Sequence, residues 1–338
     1  MKVAVSELTK KFKALLATSG ASEWDVNTLA SLYLEEDLRD NYFSALWSFE
    51  EAIERLKKSK DKKHTIEVDK PALKLINCNG RTLGLAAMEL VPELCRMAKE
   101  QGIAILGFYN GGYQVMPEAF VRAIAAEDLV GLTSSAGGPQ GVLPHGGSKD
   151  LLGTNPLAYG IPTNGLPIVF DASTAQYAYG SIKIAKEKGQ TLPEKSYVDA
   201  DGDWTTDPAK AIGIIPFGEH RGYAINLLLE VLTGALVGAK SGLLQKDEMD
   251  MGCFMIAIDP AAFGSLDEFK AQTTKLARDI ETSKPVEGFS EVRVPGYKSE
   301  RHKQKVLQED SIEVDEAMWN KFMDAYKERV KTKESQIL

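Results

Sequence analysis

Strand-like and helical segments alternate through the middle of this 338-residue chain, and this alternation limits its possible folds more than any other feature. The segment "LAAMELVPELCRMAKEQG" has the apolar spacing of an amphipathic helix, and "IAILGFYN" directly after it is typical of a buried strand. The same order recurs in "MPEAFVRAIAAED" and "LVGLTSS", and further strand-like runs follow at "NPLAYGIP", "LPIVFDAS", "CFMIAIDP" and "EVRVPG". Such a mixture predicts an α/β (α+β) fold around a central mixed sheet.

Both ends of the chain have helical patterns instead. Near the start, "SELTKKFKALLA" opens at Ser6, "SEWDVNTLASLYLEEDL" opens with a capping pattern of Ser22 and Asp25, and "SFEEAIERLKK" follows. The segment "DEAMWNKFMDAYKERV" predicts a helix near the other end. We therefore expect an N-terminal helical part at residues 1–70, a central α/β domain at 71–296, and a C-terminal helical part at 297–338 that packs on the first.

Charge and cysteine content exclude several classes of protein. The formal net charge of −8 argues against nucleic acid or an anionic membrane as a partner. The basic run "KKSKDKKH" at residues 57–64 is interpreted as a solvated helix end and loop. No signal peptide or apolar run of about 18 residues is visible. Cys78, Cys95 and Cys253 are odd in number and far apart, so we expect free buried thiols and a cytoplasmic protein.

Several well-known catalytic and binding motifs do not occur in the sequence. There is no G-x-G-x-x-G, no P-loop and no G-x-S-x-G, so any dinucleotide would be bound by a fold other than the Rossmann type. The four histidines are dispersed and form no H-E-x-x-H or Cys/His pattern, and we expect no metal site.

Three polar loops remain as candidates for binding, although each could also be an ordinary turn. In "LLGTNPLA", Gly153 allows a sharp backbone path, Thr154 and Asn155 offer polar groups, and Pro156 is expected to hold Asn155 extended. The other two loops are polar segments next to an apolar strand or helix. They contain Asp171, Ser173 and Thr174 in "IVFDAST", and His220 and Arg221 in "PFGEHRGYAINLLLEVLTG". The third loop, with His220 and Arg221, precedes a long apolar helix expected from about residue 223 to residue 239.

In this order and spacing, the three loops resemble those of the malate/L-lactate dehydrogenase family, which includes ureidoglycolate and sulfolactate dehydrogenases, diketogulonate reductases and piperideine-carboxylate reductases. The resemblance extends to "DADGDWTTDP" and "CFMIAIDPAAF". It implies a homodimeric NAD- or NADP-dependent oxidoreductase with a non-Rossmann central sheet and an active site near the dimer interface. It also implies a set of cofactor-lining residues: Gly153, Thr154, Asn155, Asp171, Ser173, Thr174, His220 and Arg221.

The chain departs from the family pattern in the N-terminal substrate segment. Family members carry Ser-His-Gly-Val-Arg shortly after Asp-Leu-Arg, and these residues supply a histidine and an arginine to the substrate. Here Asp37, Leu38 and Arg39 are present, but Ser44 stands in the histidine position and Trp47 in the arginine position.

A second departure follows the "IAIL" strand, where the family has Asn-x-Asn-His-Phe-Gly with an acid/base histidine. Asn110 is present, but Gly111 occupies the histidine position, and the family's later Thr-Asn is replaced by Ser134 and Ser135. A general acid contributes roughly 10²- to 10⁴-fold to a rate, so the family's ketone reduction should be impaired unless other groups substitute.

His145 is the first candidate substitute, since the family has an aromatic residue at this position. Tyr113 and Gln114 are the next candidates, with Ser44 and Asn110 as further polar residues of the site. The competing interpretations are a histidine that merely packs in a turn and a loop tyrosine that caps the core.

Three functions are compatible with these residues. The first is an oxidoreductase with an altered substrate, the second a non-catalytic relative that binds a nucleotide or a partner, and the third a lyase or isomerase in the old pocket. Convergence of polar residues on His145 would indicate a rebuilt active site, whereas apolar filling by Leu46 and Trp47 would indicate lost activity. The sequence does not distinguish NAD from NADP.

Overall fold

A mixed seven-stranded sheet lies at the centre of the structure, a computed structural model that describes residues 1–39, 45–112, 116–138 and 141–331. The strands are β1 (Lys2–Val3), β2 (Thr65–Lys70), β3 (Leu73–Asn77), β4 (Ile103–Tyr109), β5 (Val130–Ser135), β6 (Leu157–Ile161), β7 (Ile168–Ala172), β8 (Tyr197–Val198), β9 (Gly213–Ile214), β10 (Gly252–Ile258) and β11 (Ile312–Glu313). The order across the sheet is β2-β3-β4-β10-β5-β6-β7.

Some helices cover the faces of this sheet, and others form a layer in which the two chain ends meet. They are α1 (Val5–Ala17), α2 (Glu23–Leu38), α3 (Ala45–Ser59), α4 (Leu83–Gln101), α5 (Pro117–Ala126), α6 (Gly180–Glu187), α7 (His220–Thr233), α8 (Leu266–Glu281), α9 (Tyr297–Glu309) and α10 (Glu316–Tyr326). Within the described ranges, none of these helices is long and apolar enough to span a lipid bilayer.

The central strand β10 shows how helices cover both faces of the sheet. Its alternate residues Cys253 and Met255 belong to the main core, which also includes apolar residues of α4 and α5. Phe254 and Ile256 belong to a second cluster with Leu229 of α7. Because side chains alternate between the faces of a strand, α4 and α5 lie on one side of the sheet and α7 on the other.

The two chain ends meet in a helical layer. β1 pairs with β11 in antiparallel register, and α10 contacts α1 and α3. Phe322 of α10 packs against Phe12 of α1 and Phe49 of α3, with ring centroids 6.5 and 5.6 Å apart. The predicted contacts among α1, α2 and α3 are confirmed, and the domain boundaries at residues 70 and 296 stay predictions.

Three local predictions are wrong. Helix α1 begins at Val5 rather than Ser6, because the Ser6 hydroxyl donates to Asp310 Oδ2 at 2.7 Å instead of capping the helix. The segment "EVRVPG" forms no strand: Pro295, which has no N–H to donate, accepts one bond from Val169 N at 3.2 Å. Helix α7 begins at His220 and ends at Thr233, so it starts and ends earlier than predicted.

Candidate active site

One edge of the sheet gathers most of the polar residues singled out by sequence. β4 ends where β10 begins, since Tyr109 lies opposite Gly252, and β5 ends beside them with Ser135 opposite Cys253. The antiparallel pairings continue to β6 and β7, where Leu157 lies opposite Ala172. Strand ends and the loops that follow them therefore bring together segments that are up to about 140 residues apart along the chain.

The loop at residues 153–155 is held by the side chain of Asn155, which is fully buried. Its Oδ1 accepts from Gly137 N at 3.1 Å, and its Nδ2 donates to Asn226 Oδ1 at 3.0 Å and Glu230 Oε2 at 2.6 Å. The backbone φ of Asn155 is +33°, so the predicted extended conformation is wrong. Asparagine tolerates the left-handed region, and these buried bonds outweigh the preference imposed by the following proline.

Asn226 and Glu230 of α7 complete this arrangement and were not predicted. Asn226 Nδ2 donates to Gly153 O at 2.9 Å and to Thr174 Oγ1 at 2.8 Å. Glu230 accepts from Gly153 N at 3.2 Å and, through its other oxygen, from Gly242 N at 2.6 Å. The signal available in the sequence was a pair of polar residues four apart, hence on one face, within an otherwise apolar helix. We call Gly153, Asn155, Thr174, Asn226 and Glu230 the polar network.

Hydroxyl groups tie the segment after β7 to the same loop. Thr174 Oγ1 donates to the carbonyls of Thr154 and Asn155, at 2.9 and 3.1 Å. Ser173 Oγ also donates to Thr154 O at 3.1 Å, and Thr154 Oγ1 donates to Gly137 O at 2.8 Å. These side chains of the predicted cofactor set therefore bind backbone and give the loop a single shape.

Asp171 lies on the opposite side of the sheet, next to the start of α5. Its Oδ2 accepts from Glu118 N at 2.9 Å. Burial raises the pKa of this carboxyl to about 7; the nearby Glu118 adds to the rise, whereas the backbone bond and Arg122 oppose it. The observed contact is that of a helix-terminal acceptor, and the predicted cofactor contact of Asp171 stays a prediction.

Asp37 and Arg39 have structural contacts within the retained Asp-Leu-Arg motif. Asp37 Oδ2 accepts from Ala45 N at 2.6 Å, at the start of α3. Arg39, which is 4% exposed, lies 2.6 Å from Glu300 of α9 and 3.3 Å from Glu118 of α5. The guanidinium of Arg39 therefore connects the end of α2 to α5, which covers the sheet, and to α9 in the C-terminal part.

His145 and His220 are brought together, although sequence reasoning assigned them to different roles. Their ring centroids are 5.8 Å apart with an interplanar angle of 63°, an edge-to-face contact. Both side chains are exposed, as is Arg221 in the first turn of α7. Two groups able to carry protons and one permanent cation therefore lie near the start of this helix.

Asn110 and Gly111 close the end of β4. Asn110 has a φ of +56°, and its Nδ2 donates to Asn77 Oδ1 at 3.2 Å. A Cβ on Gly111 would lie 2.7 Å from Cys78 Sγ and 3.0 Å from Arg81 O. Position 111 therefore has no room for any side chain unless its neighbours move.

Ser134, Ser135 and Trp47, which the sequence analysis compared with the family pattern, have different surroundings. The hydroxyls of Ser134 and Ser135 are buried and have no hydrogen-bond partner among the described residues. By register, Ser134 faces the α7 side with Phe254, and Ser135 faces the opposite side with Cys253. Trp47 is half-buried, and Lys183 Nζ of α6 lies 5.4 Å from its ring centroid.

Some predicted residues cannot be placed. Ser44, Tyr113 and Gln114 lie outside the described residues. Among the residues that the structure does describe, no three His, Cys, Asp or Glu side chains are grouped so as to hold a metal ion.

The sequence over residues 3–323 matches the malate/L-lactate dehydrogenase family. The chain belongs to this family. The L-sulfolactate dehydrogenase of Methanothermobacter thermautotrophicus is 30% identical, with 97% of each chain covered. The ureidoglycolate dehydrogenase (NAD(+)) of Escherichia coli is 25% identical over 94% of this chain and 93% of its own.

The fold leads to the same family. The structure of sulfolactate dehydrogenase from Methanocaldococcus jannaschii superimposes with a TM-score of 0.85 at 29% identity, covering 97% of both chains. The predicted fold class, with a mixed central sheet, is confirmed. The prediction of an oxidoreductase is confirmed at the level of the family, whose similar members are named dehydrogenases and reductases.

Proposed function

We propose that the protein is an NAD- or NADP-dependent oxidoreductase that transfers a hydride to or from a small C=O, C=N or hydroxy compound, through an active site altered from the family pattern. The observation that carries the proposal is the contrast at one sheet edge: the 153–155 loop is held by buried hydrogen bonds, while Gly111, which the sequence analysis assigns to the family's acid/base position, has no room for a side chain. Retention of the loop supports cofactor binding, and Gly111 supports a changed proton donor.

The residues at this edge fit a dinucleotide. Thr154, Asn155 and Thr174 would shape the loop, because their side chains already bind protein groups. The exposed His220 and Arg221, at the start of a 14-residue helix, would bind phosphate. The buried Ser134 hydroxyl on the α7 side, which has no hydrogen-bond partner among the described residues, would hydrogen-bond a carboxamide. When bound, the cofactor supplies the hydride.

His145 is the proposed acid/base. It is exposed to an incoming substrate, and its contact with His220 restricts the orientation of its ring. An imidazole can give a proton to an alkoxide or remove one from a hydroxyl group. Asn110, Ser44 and Tyr113 are proposed as further polar groups around the substrate.

Lys183 is proposed to bind the anionic group of the substrate. The family's arginine position is Trp47, and the Lys183 ammonium lies over that indole ring. A lysine attracts an anion as a point charge, without the bidentate geometry by which arginine binds a carboxylate. The preferred substrate should therefore differ from those of relatives that carry the arginine.

A homodimer is proposed on the apolar surface of α7. This surface is defined by exposed side chains in and just after the helix: Ile225, Leu227, Leu228, Val231 and Leu236. Leu228 and Leu236 are 56% and 64% exposed, and contiguous apolar surface of this kind marks protein contacts. Light scattering should give twice the 37.0 kDa chain mass, and Leu228→Glu should give monomers, whereas Leu276→Glu on α8 should not.

We place this dimer in the cytoplasm, where its three buried free thiols would stay reduced.

Cofactor binding is tested by thermal-shift titration with NAD⁺, NADH, NADP⁺ and NADPH. A ligand at 100 times its Kd should add about 2.7 kcal/mol of stability. The absence of a shift with all four would refute the oxidoreductase proposal. Binding without turnover on 2-keto acids, cyclic imines and hydroxy acids would instead support a non-catalytic relative.

The role of His145 is tested separately. His145→Phe should lower kcat by roughly 10²-fold or more while cofactor binding and stability remain, because only proton transfer is lost. His302→Phe on α9 is the matched control. Unchanged kcat in His145→Phe would assign the proton to another group.

A further inference from the structure

A cavity of about 790 Å³ lies beside the N-terminal helices, apart from the polar network. Its walls are the start of α2, the segment between α3 and β2, the turn after β3 and one side of α4. The volume is in the range of small-molecule sites. Part of the lining comes from the basic run at residues 57–64, which the proposed function does not use.

The structure divides that basic run into two parts. Lys57 and Lys58, in the last turn of α3, have carboxylate partners: Lys57 lies 2.8 Å from Glu54 and Lys58 3.7 Å from Glu248. Lys60, Lys62 and Lys63 line the cavity and have no ion pair within the described part of the chain. The interpretation as a solvated helix end thus fits the first part, whereas the second places three lysines and one carboxylate, Asp61, around a concave surface.

Arg81 forms the inner wall and is 9% exposed. Its Nη2 is 2.8 Å from Asp25 Oδ1 and 3.3 Å from Glu89 Oε2. Two protein carboxylates therefore occupy the side of the guanidinium that could grip a ligand carboxylate. Its Nε is buried without a hydrogen-bond partner among the described residues, so the donors of this wall are not all satisfied from within the protein.

Lys62 connects the cavity to the sheet edge. A Cβ added to Gly80 would lie 2.6 Å from Lys62 Nζ, so this ammonium rests against the turn after β3. Gly80 N donates to Asn110 O at 2.7 Å, in the segment that follows β4. An occupant that binds Lys62 would contact a turn bonded directly to the candidate active site.

We propose that this cavity binds a phosphate-bearing small polyanion. The three unpaired ammonium groups are point charges without a preferred planar geometry, and this suits the tetrahedral oxygens of phosphate. The Nη2 group of Arg81, which a bidentate grip on a ligand carboxylate would need, is already bound to Asp25 and Glu89. Trp24, which is 45% exposed and lines the same cavity, provides a flat apolar wall for the rest of the ligand.

The test uses inorganic tripolyphosphate as the probe, with calorimetry and tryptophan fluorescence as readouts and sulfate at equal ionic strength as the control for screening. Saturable binding is expected. Lys62→Gln and Lys63→Gln should each weaken it by about tenfold, as for loss of one charge-assisted hydrogen bond. Trp24→Phe should abolish the fluorescence change.

Two matched variants separate this cavity from other basic groups. Lys57→Gln, in the same run but outside the cavity, and Arg221→Gln, at the start of α7, should both leave the Kd unchanged. The proposal is overturned by absence of saturable binding, by an equal loss in Lys57→Gln, or by loss in Arg221→Gln, which would locate the anion at the cofactor loop. Because calorimetry needs no turnover, this outcome is independent of the proposed enzymatic activity.

Discussion

The polar network and positions 111 and 134, where the sequence predicts a departure from the family pattern, lie at the same sheet edge but differ in how they are held. In the polar network, Asn155 and Glu230 are buried and every polar contact is made to another part of the protein. At the substituted positions, Gly111 has no room for a side chain and the Ser134 hydroxyl has no described partner. Buried polar groups constrain one another, so the 153–155 loop should be more sensitive to substitution than position 134.

Removal of Glu230 should have the largest effect. Glu230→Ala removes the hydrogen bonds that this carboxylate accepts from Gly153 N, Asn155 Nδ2 and Gly242 N. The free energy of unfolding should fall by about 3–5 kcal/mol in urea denaturation. The exposed Glu287→Ala should change it by less than about 0.5 kcal/mol. Equal values for the two variants would show that the network does not hold the loop.

Asp171 should make stability depend on pH. Its folded pKa of about 7 exceeds the unfolded value of about 3.9, so the folded state holds the proton more tightly. The stabilising contribution of the protonated carboxyl is complete below about pH 4 and is lost as the pH rises through 7. The free energy of unfolding should therefore fall by roughly 2–4 kcal/mol over this range, after allowance for the partial exposure of the residue. Asp171→Asn keeps an acceptor for Glu118 N and should flatten that decline. An identical pH profile in the variant would contradict the assignment.

Adding a side chain at position 111 should lower the free energy of unfolding. Gly111→Ala places a methyl group 2.7 Å from Cys78 Sγ, and the strain should cost about 1–3 kcal/mol. Gly264→Ala is the control, because no heavy atom lies within 4 Å of its added Cβ. If Gly111→Ala and Gly111→His are both as stable as the parent, the packing explanation for the missing histidine is wrong.

The smallest change in the free energy of unfolding is expected on substitution of Ser134. Ser134→Ala removes a hydroxyl without a described partner and should change stability by less than about 0.5 kcal/mol. Thr174→Val, which removes a hydroxyl bonded to two carbonyls and to Asn226, should cost about 1–3 kcal/mol. Thermal or urea unfolding distinguishes them. A Ser134 loss as large as that of Thr174 would remove the contrast between the two regions.

Local patterns of apolar residues in the sequence predicted much of the fold. The predicted segments for β4, α5 and β5 agree with the structure to within one or two residues, because each has a strong apolar period over its own length. The site was predicted only in part. His145 and His220 were chosen separately, and nothing local indicated that their rings meet. Asn226 and Glu230 were missed because their partner Gly153 lies 77 residues from Glu230.

The sequence by itself determined the family and the mixed fold class. Only the tertiary structure decided that β10 lies between β4 and β5, that Asn155 is left-handed, and that no side chain fits at Gly111. Periodicity and capping report interactions a few residues apart along the chain. Steric room and buried hydrogen bonds depend on segments that meet only after folding.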